Sequence, residues 1–123
     1  MATNAINWFE IPVSNLERAT KFYTTILGAK FEPIEAMGLR MAFFPMERGG
    51  VGGSLVQGDG YAPTTQGTRV YLNGGDDLNT VLHKVEAAGG KVVQPKTNIG
   101  DENGFMAFFL DTEGNKVGLH SMH

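Results

Sequence analysis

Met41-Ala42-Phe43-Phe44 and Met106-Ala107-Phe108-Phe109 are the same four residues met twice in a chain of 123. Their settings agree as well as their letters. Each is followed shortly by a Glu and then a Gly, at Glu47 and Gly49 and again at Glu113 and Gly114. Upstream, Gly28-Ala29-Lys30-Phe31 answers Gly89-Gly90-Lys91-Val92, in both cases where a helical stripe stops. Four identical residues can arise by chance, but four at the same step of two similar runs indicate a duplicated unit.

Working outward, the first unit opens with a strand over Ile6–Val13, whose alternation separates Phe9, Ile11 and Val13 from Trp8, Glu10 and Pro12. A helix follows, with Ser14 and Glu17 in capping-box spacing, a stripe of Leu16, Ala19, Phe22, Tyr23, Ile26 and Leu27, and Gly28 at its end. Strands are then expected near Lys30–Ile34, Leu39–Phe44 and Gly53–Gln57. The second unit repeats this order. A strand at Arg69–Asn73 leads to a helix capped by Asp76 or Asp77, with Leu78, Val81, Leu82, Val85 and Ala88 as its stripe. Strands at Lys91–Gln94, Phe105–Leu110 and Lys116–Ser121 complete it. The reading is an α+β fold in one domain over 1–123, made of two tandem βαβββ modules at about 5–58 and 68–122, with a linker at about 59–67. Each helix covers one face of its sheet, so the other faces must close on each other as a cup-shaped half-barrel. A cavity lined by both modules is the natural place for a small ligand.

A net charge of -3 without runs of like charge argues against nucleic acid and anionic membrane as partners. No apolar stretch approaches the roughly 20 residues that span a bilayer. Met1-Ala2-Thr3-Asn4 lacks the features of a leader, so a cytoplasmic location is expected. The absence of cysteine removes thiolate metal ligands and a cysteine nucleophile. Gly49-Gly50 and Gly74-Gly75 do not follow either glycine-rich phosphate-binding pattern.

Three stretches carry a family likeness: Val13-Ser14-Asn15-Leu16-Glu17-Arg18-Ala19 through Phe22-Tyr23 to Leu27-Gly28, then Val85–Gly90, then Phe108 through Asp111-Thr112-Glu113-Gly114-Asn115. In order and spacing the chain resembles the vicinal oxygen chelate superfamily of glyoxalases, bleomycin-resistance proteins and extradiol dioxygenases. The resemblance implies four cup-facing metal ligands, usually His or Glu, at positions that here hold Trp8, Ser54, Arg69 and Gly118. Trp and Gly offer no side-chain ligand, and Arg repels a cation. A catalytic centre needs about three protein ligands. No metal and no cofactor are therefore expected, and the closer analogy is to metal-free, drug-sequestering relatives. The resemblance also implies a homodimer.

The same alternation places Trp8 and Glu10 toward the cup, with Arg69, Tyr71, Asn73, Gly118 and His120 from the second module. From the third strands it assigns Ala42 and Phe44, then Phe105, Ala107 and Phe109. The expected ligand-binding set is Trp8, Phe44, Ser54, Arg69, Tyr71, Asn73, Phe109 and Gly118, with Glu10 and His120 as candidate catalytic groups. Trp8 stacks on a ligand or merely fills the space of the metal; Glu10 and Arg69 form a structural ion pair or act on substrate. The leading reading is capture of an aromatic or partly apolar small molecule. The alternative is a metal-independent lyase or isomerase using Glu10 or His120 as general base. A metal-dependent glyoxalase-type lyase comes last.

Overall fold

Period-two alternation in each opening strand, followed by an amphipathic segment, builds the same four-stranded sheet twice. The computed structural model describes residues 4–123; Met1-Ala2-Thr3, part of the stretch read above as carrying no leader, lies outside the described residues. The strands are β1 (Trp8–Pro12), β2 (Glu32–Ala36), β3 (Leu39–Phe43), β4 (Gly52–Gln57), β5 (Tyr71–Asn73), β6 (Lys91–Asn98), β7 (Phe105–Leu110) and β8 (Lys116–Ser121). The helices are α1 (Leu16–Leu27) and α2 (Asn79–Leu82). One sheet has the order β1-β4-β3-β2 and the other β5-β8-β7-β6. In each, the first strand runs parallel to the fourth while the remaining neighbours are antiparallel. The result is an α+β pair of open mixed sheets rather than a closed barrel. No helix among the described residues is long and apolar enough to cross a membrane.

Helix α1 forms where the sequence places it and buries Leu16, Ala19, Phe22, Tyr23 and Ile26. Its caps differ from the expected Ser14–Glu17 box. Asn15 is the N-cap, its side chain accepting from the Arg18 N–H at 3.0 Å, and Gly28 closes the far end at φ 64°. The free N–H groups of Ser14 and Asn15 both donate to Glu113 Oε1 at 2.9 Å. Glu17 is drawn away to pair with Arg40. The second helical segment is shorter. Asp77 Oδ1 accepts from the Asn79 N–H at 2.9 Å, but after Leu82 the bonds tighten to three-residue spacing, as from Lys84 N–H to the Val81 carbonyl. Its apolar stripe of Leu78, Val81, Leu82 and Val85 is buried as expected.

The core is shared between the two units. Phe22 and Tyr23 of α1 meet Phe109 of β7 at ring separations of 5.8 and 6.3 Å. The turn between β7 and β8 then ties the units together with polar bonds. Tyr23 donates to Asp111 at 2.7 Å, and Asn115 Nδ2 donates to the Pro12 carbonyl at 2.7 Å. Arg18 Nε meets Glu113 Oε2 at 2.7 Å.

Burial by itself would raise the Glu113 carboxyl. The donors Arg18, Asn15, Thr112 and Ser14 outweigh burial and hold it below its ordinary value. A depressed carboxyl stabilises the fold above its unfolded pKa, and that stabilisation disappears as pH falls through the folded value. Glu113→Gln is therefore expected to lower stability near neutrality by about 1–3 kcal/mol, the scale of charged hydrogen bonds. The gap should close below pH of about 4. Thermal melts of both proteins across pH 3–8 check this; a gap independent of pH contradicts it.

Candidate functional site

Register within the sheets decides which side chains share a face. On β4, Ser54 lies opposite Glu10 of β1 and Phe43 of β3, and Gly52 lies opposite Trp8. The cup face of the first sheet thus carries Trp8, Glu10, Ser54, Met41 and Phe43, and Trp8 meets Phe43 edge-on at 5.1 Å. Phe44 points the other way, against Phe9, Tyr23 and Phe31 in the core. In the second sheet Gly118 is paired with Tyr71 and Phe108, and His120 with Asn73 and Met106. Ala107 and Phe109 are wholly buried beneath the helices.

The residues of both third strands that share the cup face are therefore shifted by one from expectation, and none of them lines a cavity described below. Met41 and Phe43 replace Ala42 and Phe44, and Met106 and Phe108 replace Phe105, Ala107 and Phe109. The physical cause lies in the repeated motif itself. All four of its residues are apolar, so no polar–apolar alternation marks the face, and only pairing with β4 or β8 selects it.

Between the outer edges of β1 and β5 runs a trough of about 880 Å³. Trp8, Glu10 and Pro12 line one wall; Arg69, Tyr71, Asn73 and Lys116 line the other. Trp8 is 39% and Tyr71 50% exposed, unusually open for rings of this size, so both offer faces to a bound molecule. Sequence reasoning missed Lys116, although it lies two residues before Gly118 and shares its face. It also missed Thr64 and Thr68, which the connection between β4 and β5 folds over the trough.

Glu10 and Arg69 do not form the ion pair considered above. Glu10 Oε1 accepts from the Tyr61 hydroxyl at 2.9 Å, and this bond to Glu10 holds the Tyr61 phenol above its ordinary pKa. Arg69 donates to the Gly67 carbonyl at 3.0 Å. His120 is brought beside neither Glu10 nor Trp8. It lines a second cavity of about 740 Å³ with Asp76, Ile99 and Met122, and only Tyr71, Leu72 and Asn73 border both spaces. Its Nε2 lies 2.6 Å from the Asn103 carbonyl, which can only accept, so that nitrogen carries the proton.

Gly118 is closely covered. A Cβ built there would fall 2.5 Å from the Tyr71 ring, so Tyr71 packs directly over this glycine. Ser54 is fully buried, and its hydroxyl has no hydrogen-bond partner among the described residues.

The four positions that the resemblance assigns to a metal do not suit one. They hold an indole, a lone hydroxyl, a guanidinium and no side chain. Among the described residues, no three His, Cys, Asp or Glu side chains are close enough to share an ion.

Comparison with known proteins agrees with this architecture. The Glyoxalase/Bleomycin resistance protein/Dioxygenase superfamily model matches residues 5–119. A glyoxylase-like domain-containing protein of Didymella fabae is 32% identical over 89% of this chain and 88% of its own. Two mycobacterial relatives are matched over only 44% of their length. Among solved structures, hypothetical protein SA1046 of S. aureus superposes with a TM-score of 0.71 at 22% identity, covering 97% of this chain and 95% of that one. TnmS3, an antibiotic binding protein of Streptomyces sp. CB03234, superposes with a TM-score of 0.65 at 25% identity, covering 98% of each. With two paired βαβββ sheets and a family match spanning nearly all of it, this chain belongs to the glyoxalase/bleomycin resistance protein/dioxygenase superfamily.

Proposed function

We propose that this protein captures a small aromatic or partly apolar molecule in the trough between β1 and β5, without metal chemistry. The carrying observation is the trough itself. Its volume of about 880 Å³ lies in the range of small-molecule sites, and two open aromatic rings accompany a few polar groups along its walls. The antibiotic-binding neighbour of the same fold supports a role in capture. Glu10 and His120 line different cavities, so an enzyme built on this site would use one of them as base without the other.

Trp8 is the only tryptophan, so its emission reports on the trough directly. Titration with an aromatic probe such as 2-naphthamide is expected to change that emission saturably. Glu10→Gln should weaken binding about tenfold, the effect of one desolvated charged contact. Melting temperature is recorded alongside, because the substitution also alters the bond from Tyr61. Unaltered Trp8 emission, together with wild-type affinity in the variant, rejects the trough as the site. Protein purified without chelator should carry no stoichiometric transition metal. Elemental analysis finding near one equivalent of zinc, nickel, manganese or iron would overturn the metal-free reading.

A further inference from the structure

Two cations on the second wall of the trough lack acidic partners. The ion pairs among the described residues are Arg18–Glu113, Arg40–Glu17 and Lys96–Asp77, and none includes Arg69 or Lys116. Both residues line the trough and both are half-buried. They are also neighbours. Tyr71 pairs with Gly118, and the Gly118 N–H donates to the Val70 carbonyl, so the parallel ladder continues back toward Arg69 and Lys116. Two-residue alternation then sets Arg69 and Lys116 on the face of Tyr71 and Gly118. Lys116 Nζ sits 4.7 Å over the Phe108 ring, which fixes the ammonium beside the cup face. Arg69 has spent one guanidinium N–H on the Gly67 carbonyl, leaving most of its donors free.

Arg69, just ahead of β5, and Lys116 of β8 thus set two like charges side by side, an arrangement that favours an anion between them. The chain as a whole is acidic at -3, so this pair is no part of a general basic surface. The nearest acidic group of the trough, Glu10, belongs to the opposite wall and is held by Tyr61. An anion seated between Arg69 and Lys116 would relieve the repulsion and supply both missing partners. A planar carboxylate suits the guanidinium fork, with the ammonium as a second point of charge.

We infer that the ligand is an aromatic carboxylate, its ring against Trp8 and Tyr71 and its carboxyl group on Arg69 and Lys116. This rests on the trough being the binding site.

The test compares 2-naphthoate with 2-naphthamide, which share ring and shape and differ in charge, by calorimetry and Trp8 emission. The acid is expected to bind at least about tenfold more tightly, from charge-assisted hydrogen bonds. Added salt should erode its affinity more than that of the amide. Arg69→Gln should bring the acid to the level of the amide, and Lys116→Gln should cut its advantage by about threefold. Lys91→Gln, on an exposed strand outside the trough, should leave the preference intact. Equal saturable binding of acid and amide overturns the carboxylate and leaves the trough standing. Failure of both to perturb Trp8 or release heat overturns the two readings together. An acid preference that persists unchanged in both variants assigns the anion elsewhere and overturns the inference.

Discussion

Asp111→Ala is expected to cost about 3–5 kcal/mol of folding stability, the scale for leaving several buried donors without their charged acceptor. Asp111 is 5% exposed and accepts four hydrogen bonds: from Tyr23 Oη, from the backbone N–H of Glu113 and of Asn115, and from Asn115 Nδ2. Alanine would leave the wholly buried Tyr23 hydroxyl without its acceptor and free the turn that holds Glu113 under α1. The consequence reaches the trough. Asn115 is oriented by Asp111, and it in turn holds the Pro12 carbonyl at the end of β1 and accepts from the Thr64 N–H. Tyr23→Phe removes only one of the four bonds, and about 1–2 kcal/mol is expected, since Asp111 keeps its other donors. Urea denaturation of both variants provides the comparison. A loss below 1 kcal/mol for Asp111→Ala would mean that the turn does not join the two units.

A second large effect separates adjacent phenylalanines. Phe109→Ala should cost about 3–5 kcal/mol, the range for deleting a fully buried ring. Phe108→Ala should cost about 1 kcal/mol, since this residue is only half-buried and mainly loses contact with Tyr71. In exchange, Phe108→Ala should weaken ligand binding, because the ring supports Lys116 and lies beside Tyr71. Reversal of the two stability losses would mean that Phe109, not Phe108, faces the cup.

This pair of residues marks where reading the sequence stops. The duplicated order of strand, helix and three strands is written in local periods and in glycines at helix exits. The limits of β7 and β8 are those expected from the sequence, Phe105–Leu110 and Lys116–Ser121. Trp8 and Glu10 on one face, with Phe9, Ile11 and Val13 on the other, follow from alternation in a strand that does alternate. The unsuitability of Trp8, Ser54, Arg69 and Gly118 as metal ligands is a matter of side-chain chemistry alone.

What required the tertiary structure is everything that depends on partners distant in the chain. Glu113 serves the N–H of Ser14 from 99 residues away, in place of the local cap expected from Ser14 and Glu17. Glu10 accepts from Tyr61, 51 residues later in the chain, and is not paired with Arg69. Asn103 engages His120 and removes it from the trough. For Met-Ala-Phe-Phe the local pattern is silent, because every residue is apolar and either face would bury well. The choice is made by pairing with β4 and β8, whose register fixes which residues share the cup face.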